Sequence, residues 1–527
     1  MQLIARPAFP TEKIHGRWDA HNAARAEGFS FLFCVGNDPD RILFWARMPI
    51  IALSIALGAI IYLFAEAKFD RGTALMATLL YAFSPTVLAH SRYVTTDLAA
   101  TFGFTIAILS YLAFLELPSS RRTFAAGIAI GVALLAKFST ILLLVLLPII
   151  LAEWLVAAPC TLGSRWPADA RKLITKSTLA VIMGMSIVWC AYAILLRNNS
   201  IETTLQRTAV FLVQFNCPAW LALVITQLSR TILLRPFGEY LLGVASVYAH
   251  VLHGGDPIYF MGITTPDASH LYFPTLYLLK ESIPEHLLLA IAVFAAFRSA
   301  RRLDRNAQLI TRAFIRHHFT ELAIATFVIL YWIMALRSNF MVGIRHLLPT
   351  FPLLYVLVAR RLSVWGGLAR CREPAGSFVD RRRYLLMALF GWVIAESVFI
   401  YPHYLCYYNE LAGESLNGHW YAGGANYDWG QDQRRLQRFL NEHGIQRVSV
   451  AADEPESLKY YLGDAYIPWK ISWGPPHGWF AISATWRDKL VSQWLRKSGK
   501  SGVLFPWLVA ATPVERAGYC YWLYKFP

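Results

Sequence analysis

The chain has 527 residues, of which 56% are hydrophobic and only 16% are charged, and its mean hydropathy is +0.42. Soluble chains carry roughly 25% charged residues, and a bilayer is crossed by ~20 apolar residues, so this composition excludes an ordinary soluble protein. The formal net charge of +16 does not indicate nucleic-acid binding, because the basic residues alternate with apolar runs and form no single face. The sequence therefore predicts an α-helical polytopic membrane protein.

The apolar runs predict about ten membrane spans in chain order. They lie near residues 43–65, 72–90, 98–117, 123–136, 140–157, 177–196, 273–297, 319–337, 347–361 and 384–402. Segment 197–272 is also apolar, but polar residues such as Asn216, Glu239 and His250 interrupt it. This pattern favours interfacial helices over further spans.

Arginine-rich loops set the orientation of the predicted spans, because loops rich in Lys and Arg stay in the cytoplasm. The most basic loops are 158–176, 298–318 and 359–383. With these inside, the loops on the outer face are 91–97, 137–139, 197–272, 338–346 and everything after 402. Segment 1–42 also falls outside, although it lacks the apolar core of a signal peptide. We therefore expect one further span upstream, lost through a late start or a truncation.

The composition changes after residue 402. An apolar face formed by Leu436, Phe439 and Leu440 predicts a helix that ends near Gly444. The stretches "GWFAISAT" and "GYCYWLYKF" are typical of strands. The sequence thus predicts three parts. They are an outer loop over 1–42, a transmembrane core over 43–402 with an interfacial segment at 197–272, and an extracytoplasmic α/β domain over 403–527.

The seven cysteines are scattered along the chain and odd in number, and no two have CxxC spacing. This pattern predicts neither a disulfide framework nor a zinc site.

The predicted outer loops carry ionisable side chains close to the membrane. Those of the core are Arg92, Asp97, Lys137, Lys280, Arg345 and His346, and the outer domain begins with Asn409, Glu410, Asp428, Gln431 and Asp432. An ionisable residue near a bilayer is costly and usually faces a cavity or a partner. Several cations beside a carboxylate at one membrane face suit the binding of a lipid phosphate.

Each of these residues also has a purely structural interpretation. Asp97 follows two threonines directly before an apolar run, and its spacing alone slightly favours a helix cap. For Lys137, snorkelling to the interface is as good an explanation as a role in a site, and for Lys280 snorkelling is the favoured explanation. Arg345 is equally suited to anchor the end of a span. The polar residues of the outer domain are also typical of solvated loops.

Seven stretches, in order across about residues 37–440, resemble the bacterial polytopic glycosyltransferases of the dolichyl-phosphate-mannose–protein mannosyltransferase and aminoarabinose-transferase superfamily. They are "NDPDRILFWARMP", "YAFSPTVLAHSRYVTTDLAATFGF", "GVALLAKFST", "YFPTLYLLKESIP", "GIRHLLPTFPLLYVL", "HYLCYYNELAG" and "NYDWGQDQRRL". The resemblance implies the GT-C fold, eleven spans when complete, and a sugar donor carried on polyprenyl phosphate at the outer face of the bacterial inner membrane.

The resemblance also suggests roles for single residues. Asp97 matches the acidic position at the end of the third span of the family. It is the predicted catalytic residue, which would orient a cation, bind a metal or contact the acceptor. Lys137, Arg345, Arg92 and His346 would hold the donor phosphate. Such enzymes carry an acidic pair in the first outer loop, associated with acceptor activation, and this chain begins after the place where it should lie.

These patterns together predict a hexosyl or pentosyl transferase whose acceptor is a protein, a lipid or a glycan. Contacts with substrate are expected at Lys280 of the core and at Asn409, Glu410, Asp428, Gln431 and Asp432 of the outer domain. The resemblance makes no cofactor certain and leaves a divalent cation open. The alternatives are a transporter or flippase of lipid-linked sugars, and an inactive truncated paralogue that binds the donor.

Overall fold

The computed structural model of the chain describes residues 27–157, 166–254, 257–265, 269–301, 314–368, 377–497 and 506–527. Residues 1–26 of the predicted outer loop lie outside the described residues, as do Cys160 and Cys371. The middles of the three most basic loops lie outside them as well.

Long helices form the first four fifths of the chain. They are α1 (Pro39–Lys68), α2 (Arg71–Phe83), α3 (Pro85–His90), α4 (Thr96–Glu116), α5 (Ser120–Ala136), α6 (Leu143–Ala157), α7 (Trp166–Leu196), α8 (Ile201–Gln214), α9 (Ala219–Ser229), α10 (Arg235–His253), α11 (Tyr272–Lys280), α12 (Ile283–Arg301), α13 (Phe319–Arg337), α14 (Phe351–Trp365) and α15 (Ser377–Phe399). One large apolar cluster joins most of them, and α4 contributes several of its fully buried side chains.

Each of the ten predicted spans falls on helix, so the helical character of the core is confirmed. Among the described residues, six helices are long and apolar enough to cross a membrane. They are Pro39–Lys68, Thr96–Glu116, Phe138–Ala157, Ala168–Leu196, Phe319–Arg337 and Ile344–Trp365. These helices support an integral membrane protein, and the count of ten spans stays a prediction.

The predicted span 273–297 is wrong in its boundaries, because the chain breaks after α11. The Ser282 hydroxyl accepts from the Glu285 N–H at 3.4 Å, and the Glu285 carboxylate accepts from the Ser282 N–H at 3.3 Å. This reciprocal pair is a capping box, and Pro284 in the first turn also favours a new helix start. The predicted span therefore covers two helices, the nine-residue α11 and the longer α12.

Segment 197–272 contains three helices, α8 to α10, and a hairpin of β1 (Ile258–Phe260) and β2 (Ile263–Thr265). The longest of the three helices has 19 residues, and among the described residues none of them meets the length and hydropathy of a span. Helix α10 packs on the turn before α6 so closely that a Cβ at Gly243 would lie 2.1 Å from the Phe138 ring.

The residues after α15 form a second unit with its own apolar cluster. Its helices are α16 (Glu414–Asn417), α17 (Gln433–Glu442), α18 (Pro455–Leu462), α19 (Ala484–Lys497) and α20 (Pro506–Ala510). Its strands are β3 (Val448–Ala451), β4 (Tyr466–Pro468), β5 (Gly478–Ser483), β6 (Glu515–Ala517) and β7 (Tyr521–Phe526). They form one mixed sheet in the order β4-β3-β5-β7-β6, parallel in its first three strands and antiparallel in the rest. We call this part the C-terminal unit.

Helix α11 connects the helical core to the C-terminal unit. The ammonium of Lys280 donates to the carbonyls of Leu405 at 2.9 Å and Asn426 at 2.7 Å. At the other end of α11, the Tyr272 hydroxyl accepts from the Asn426 side chain at 3.0 Å. Since both ends of α11 reach the same residue of the C-terminal unit, this helix lies along the junction and does not cross the core.

Candidate active site

Asp97, Lys137 and Arg345 meet at the end of the helical core that faces the C-terminal unit. The Lys137 ammonium donates to Asp97 Oδ1 at 2.7 Å, and the Arg345 guanidinium lies 3.6 Å from Asp97 Oδ2. The carboxylate is only 5% exposed, whereas the two cations are 24% and 22% exposed. One buried carboxylate thus holds two partly accessible cations, and the cluster carries a net charge of +1.

The start of α4 places Asp97 in this cluster. Thr95 is the N-cap residue, and its side chain makes no capping hydrogen bond. Asp97 is the second residue of the helix, and its side-chain hydrogen bond goes to Lys137. A carboxylate in the first turn also interacts favourably with the helix dipole. The structure therefore favours the ion-pair interpretation of Asp97 over the capping interpretation.

Breaks in the helices present the two cations. Lys137 follows the last residue of α5 in an extended conformation, with φ −163° and ψ 142°, so its side chain leaves the helix axis. Arg345 lies in the 3₁₀ turn Ile344–Thr350, directly before α14. Gly343 before it has φ +108°, and a Cβ there would lie 2.9 Å from the Asn426 amide oxygen. A glycine is required at 343 for both reasons.

Trp429 of the C-terminal unit covers Arg345. The guanidinium lies 5.0 Å from the centroid of the Trp429 ring. The same ring is 4.8 Å from the Tyr93 ring and 5.5 Å from the His90 ring, and its N–H donates to the Ala425 carbonyl at 2.9 Å. Stacking on a tryptophan fixes the plane of a guanidinium. The Arg345 Nε–H donates to the Val342 carbonyl at 3.1 Å, and Nη1 is the atom that faces Asp97.

A cavity of about 1010 Å³ lies between the helical core and the C-terminal unit, and Arg345 lines it. Its wall on the core side includes His250, Tyr272 and Phe340, and its wall on the sheet side includes Asp428, Asp453, Glu454, Thr485, Asp488 and Lys489. Pockets for small molecules usually measure ~300–1,000 Å³, so this cavity has room for a sugar and part of an acceptor. Of the cluster, Arg345 lines the cavity, and Asp97 and Lys137 are joined to it through the ion pairs.

Asp428 is the predicted outer-domain residue that lines the cavity. Its carboxylate accepts from the Gly430 N–H at 3.0 Å and lies 3.4 Å from the Thr485 hydroxyl. Burial raises the pKa of Asp428 to about 6, and the neighbouring Asp432 adds to this rise. A carboxyl group with such a pKa gains and loses a proton near neutral pH.

The other predicted site residues are held by structural contacts away from the cavity wall. Arg92 lies over the rings of Tyr93 and Tyr404, and His346 packs against Phe340. The Asn409 side chain donates to the Leu278 and Glu281 carbonyls, Glu410 is exposed, and Gln431 and Asp432 bond to the segment around Cys520. Their contacts with substrate stay predictions.

Lys280 is only 2% exposed, and its ammonium lies 4.3 Å from the centroid of the Tyr408 ring. We expect Lys280→Met to lower stability by roughly 2–3 kcal/mol, because two buried carbonyls lose a charged donor, while the KM of any transfer stays unchanged. The measurement is thermal unfolding of the purified protein in detergent. Lys68→Met is the matched control, since its partner Glu116 is half-exposed and such pairs contribute under about 1 kcal/mol.

Residues 40–189 match the family model described as Dolichyl-phosphate-mannose-protein mannosyltransferase. This match supports the predicted resemblance over that part of the chain, which is less than a third of the whole. The matched part includes both Asp97 and Lys137, whereas Arg345 and the C-terminal unit lie outside it.

Comparison with solved structures gave eight similar chains, and two of them are of ArnT from Cupriavidus metallidurans. The structure bound to undecaprenyl phosphate is 14% identical and has a TM-score of 0.36, over 96% of this chain and 87% of that one. The structure in the apo state is 12% identical and has a TM-score of 0.26, over 96% and 86%. TM-scores of this size do not establish a common fold. Comparison with curated proteins gave no match.

The sequence pattern did not single out two residues that contact the cluster or its turn. Trp429 and Asn426 both lie in "ANYDWGQD", a stretch already linked to the family. Asn426 accepts from the Ile344 N–H at 2.9 Å, which ties the turn of Arg345 to the C-terminal unit. A tryptophan between an aspartate and a glycine is the one sequence signal that could have indicated a ring placed over a cation.

Proposed function

We propose that this chain is a membrane glycosyltransferase that moves a sugar from a polyprenyl phosphate to a hydroxyl group of an acceptor. The match of residues 40–189 to the mannosyltransferase family model supports the reaction class. The observation that carries the proposal is the cluster of Asp97, Lys137 and Arg345 beside a cavity large enough for a sugar. We further propose that this end of the core faces the outer side of the bacterial inner membrane.

The transfer breaks the bond between the anomeric carbon and a phosphate oxygen, and the same carbon bonds to the acceptor oxygen. Negative charge develops on the leaving phosphate, and fixed cations aimed at it lower the barrier. The planar guanidinium of Arg345 can donate to phosphate oxygens in a fixed direction, while the Lys137 ammonium acts as a point charge. Asp97 is a positioning residue in this scheme, since it holds both cations before the donor arrives.

The acceptor hydroxyl has to lose a proton during the transfer. We propose Asp428 as the carboxylate that receives it, because this residue lines the cavity opposite the core and is only partly exposed. The proton then passes to solvent, and free polyprenyl phosphate and the glycosylated acceptor leave the site.

The pH profile tests the role of Asp428. A base works only when ionised, so transfer should rise with pH through an apparent pKa of about 6. At one unit below that pKa, about a tenth of the molecules are active. We expect Asp428→Asn to lower kcat by roughly 100-fold and to remove this step from the profile. A profile with the same step in the variant would assign the ionisation to another group.

The proposed reaction is separated from its alternatives by one assay on reconstituted vesicles. Purified protein is placed in lipid vesicles with a polyprenyl-phosphate sugar that is radiolabelled in the sugar, and envelope lipids, glycans and proteins serve as acceptors. Label in an acceptor supports the transferase. Label that only crosses the bilayer indicates a flippase, and label that is only retained indicates an inactive binding protein.

A further inference from the structure

Two cysteines that lie far apart in the sequence meet inside the C-terminal unit. Cys406 ends the turn Tyr404–Cys406 after the last core helix, and Cys520 directly precedes β7. Their sulfur atoms are 3.8 Å apart, and both side chains are fully buried. The remaining described cysteines are Cys34, Cys190 and Cys217, and each is at least partly exposed.

The surroundings of the two sulfurs hold them together. The Gln431 amide donates to Cys520 Sγ at 3.0 Å and to Cys406 Sγ at 3.4 Å. The Tyr427 carbonyl lies 3.2 Å from Cys406 Sγ and 3.4 Å from Cys520 Sγ. The sulfurs of a disulfide bond lie about 2.05 Å apart, so these two have to approach each other by less than about 2 Å.

A metal ion would be a competing reason for the two cysteines to meet, because Asp432 lies close enough to be a third ligand. Its Oδ2 atom already accepts from the N–H groups of Tyr519 and Cys520, at 2.9 Å and 3.0 Å, and its Oδ1 atom pairs with Arg435 at 2.5 Å. The Gln431 N–H points at the sulfurs, and a positive N–H group opposes a cation there. These contacts favour a bond between the sulfurs.

We propose that Cys406 and Cys520 form a disulfide bond in the mature protein. The proposal rests on the outer placement of the C-terminal unit in the proposed function, because disulfides persist in the oxidising envelope and not in the cytoplasm. One thiolate attacks a disulfide-bonded thiol oxidase of the envelope, and the second thiolate then displaces the oxidase from the mixed disulfide. Two protons and two electrons leave the cysteines, and the oxidase departs as a dithiol.

The bond forms before the C-terminal unit closes. Burial, together with the adjacent Cys406, raises the pKa of the Cys520 thiol well above its usual range. The thiolate is the attacking species, so the folded unit would react slowly. Once formed, the bond ties the end of the core to the hairpin of β6 and β7. Gln431 contacts both sulfurs, and its Oε1 atom accepts from the Trp429 N–H at 2.7 Å. The bond therefore restrains the residue whose ring covers Arg345.

Peptide mapping of the full-length protein tests the proposal. Membranes are treated with N-ethylmaleimide before solubilisation, and the purified protein is digested without reduction. We expect one linked peptide containing both Cys406 and Cys520, lighter by two hydrogens than its two parts and split by reduction. Cys520→Ser should remove it, whereas the matched variant Cys34→Ser should leave it unchanged. Reduction should also lower the melting temperature of the wild type by several degrees.

The orientation of the C-terminal unit is measured separately, with a membrane-impermeant maleimide on intact cells carrying Lys470→Cys at an exposed position, and peptide mapping locates the label at residue 470 and not at Cys34 or Cys217. Labelling from outside together with a linked peptide supports the proposal. Labelling from outside with two alkylated thiols, or with a metal bound at free thiols, overturns the disulfide and leaves the proposed function intact. A C-terminal unit that is protected in intact cells and labelled only after lysis overturns both.

Discussion

The variant Asp97→Asn should lose transfer activity by at least about 100-fold in kcat, because its amide no longer neutralises Lys137 and Arg345. Without the carboxylate, the two cations repel each other and turn toward solvent. The donor phosphate then meets cations that are no longer fixed in place. The measurement is the initial rate of sugar transfer per folded molecule, with folding checked by thermal unfolding of the same preparation.

Asp70→Asn is the matched control for this loss. Asp70 also stands at the start of a helix, where its carboxylate accepts from the Thr73 N–H at 2.8 Å and pairs with Arg360 at 3.1 Å. Asparagine caps helices about as well as aspartate, so the stability cost is about 1–2 kcal/mol at most. We expect normal transfer per folded molecule. Equal losses in both variants would reduce Asp97 to a structural ion pair.

The second large effect is expected at Arg345, the cation of the cluster that lines the cavity. Arg345→Ala should lower kcat by roughly 100- to 1,000-fold, as does the loss of a donor that contacts developing charge. Arg345→Lys should lower it by only about tenfold, because the charge remains while the fork and the stacking on Trp429 are lost. Transfer by Arg345→Ala at more than half of the wild-type rate would remove this residue from the phosphate site.

Arg360→Ala provides the matched control for Arg345. Arg360 pairs with an aspartate and lies 5.1 Å from the centroid of the Phe69 ring, so its surroundings resemble those of Arg345. It lies 15 residues further along the chain, and at 1.5 Å per helical residue the two stand on the order of 20 Å apart. Its replacement should lower stability modestly and leave the transfer rate per folded molecule unchanged.

The sequence predicted the helical core well, because an apolar run long enough for a bilayer seldom forms anything other than a membrane helix. It predicted one span over 273–297, because the averaged hydropathy of Tyr272–Lys280 and Ile283–Arg301 does not show the break between these two helices. The signal for the break was present in "SIPE", where serine and glutamate have the spacing of a capping box and a proline stands between them. An average over apolar residues hides such a local pattern.

The candidate site was predicted in part. Topology and family resemblance placed Asp97, Lys137 and Arg345 on one face, and the structure joins them through two ion pairs. Spacing within the chain could not show that Trp429 covers Arg345, because that contact depends on how the C-terminal unit docks on the core. For the same reason, the pairing of Cys406 with Cys520 has no signal in the cysteine spacing.

The release of free polyprenyl phosphate by the purified protein tests the central claim most directly. The wild type and Asp97→Asn are each placed in vesicles of defined lipid with a polyprenyl-phosphate sugar as donor and an envelope extract as acceptor. The amount of freed polyprenyl phosphate is then compared with the amount of glycosylated product. We predict one freed lipid per transferred sugar in the wild type and almost none in the variant. No release by the wild type from mannosyl, glucosyl or pentosyl donors, or equal release by both proteins, would contradict the account.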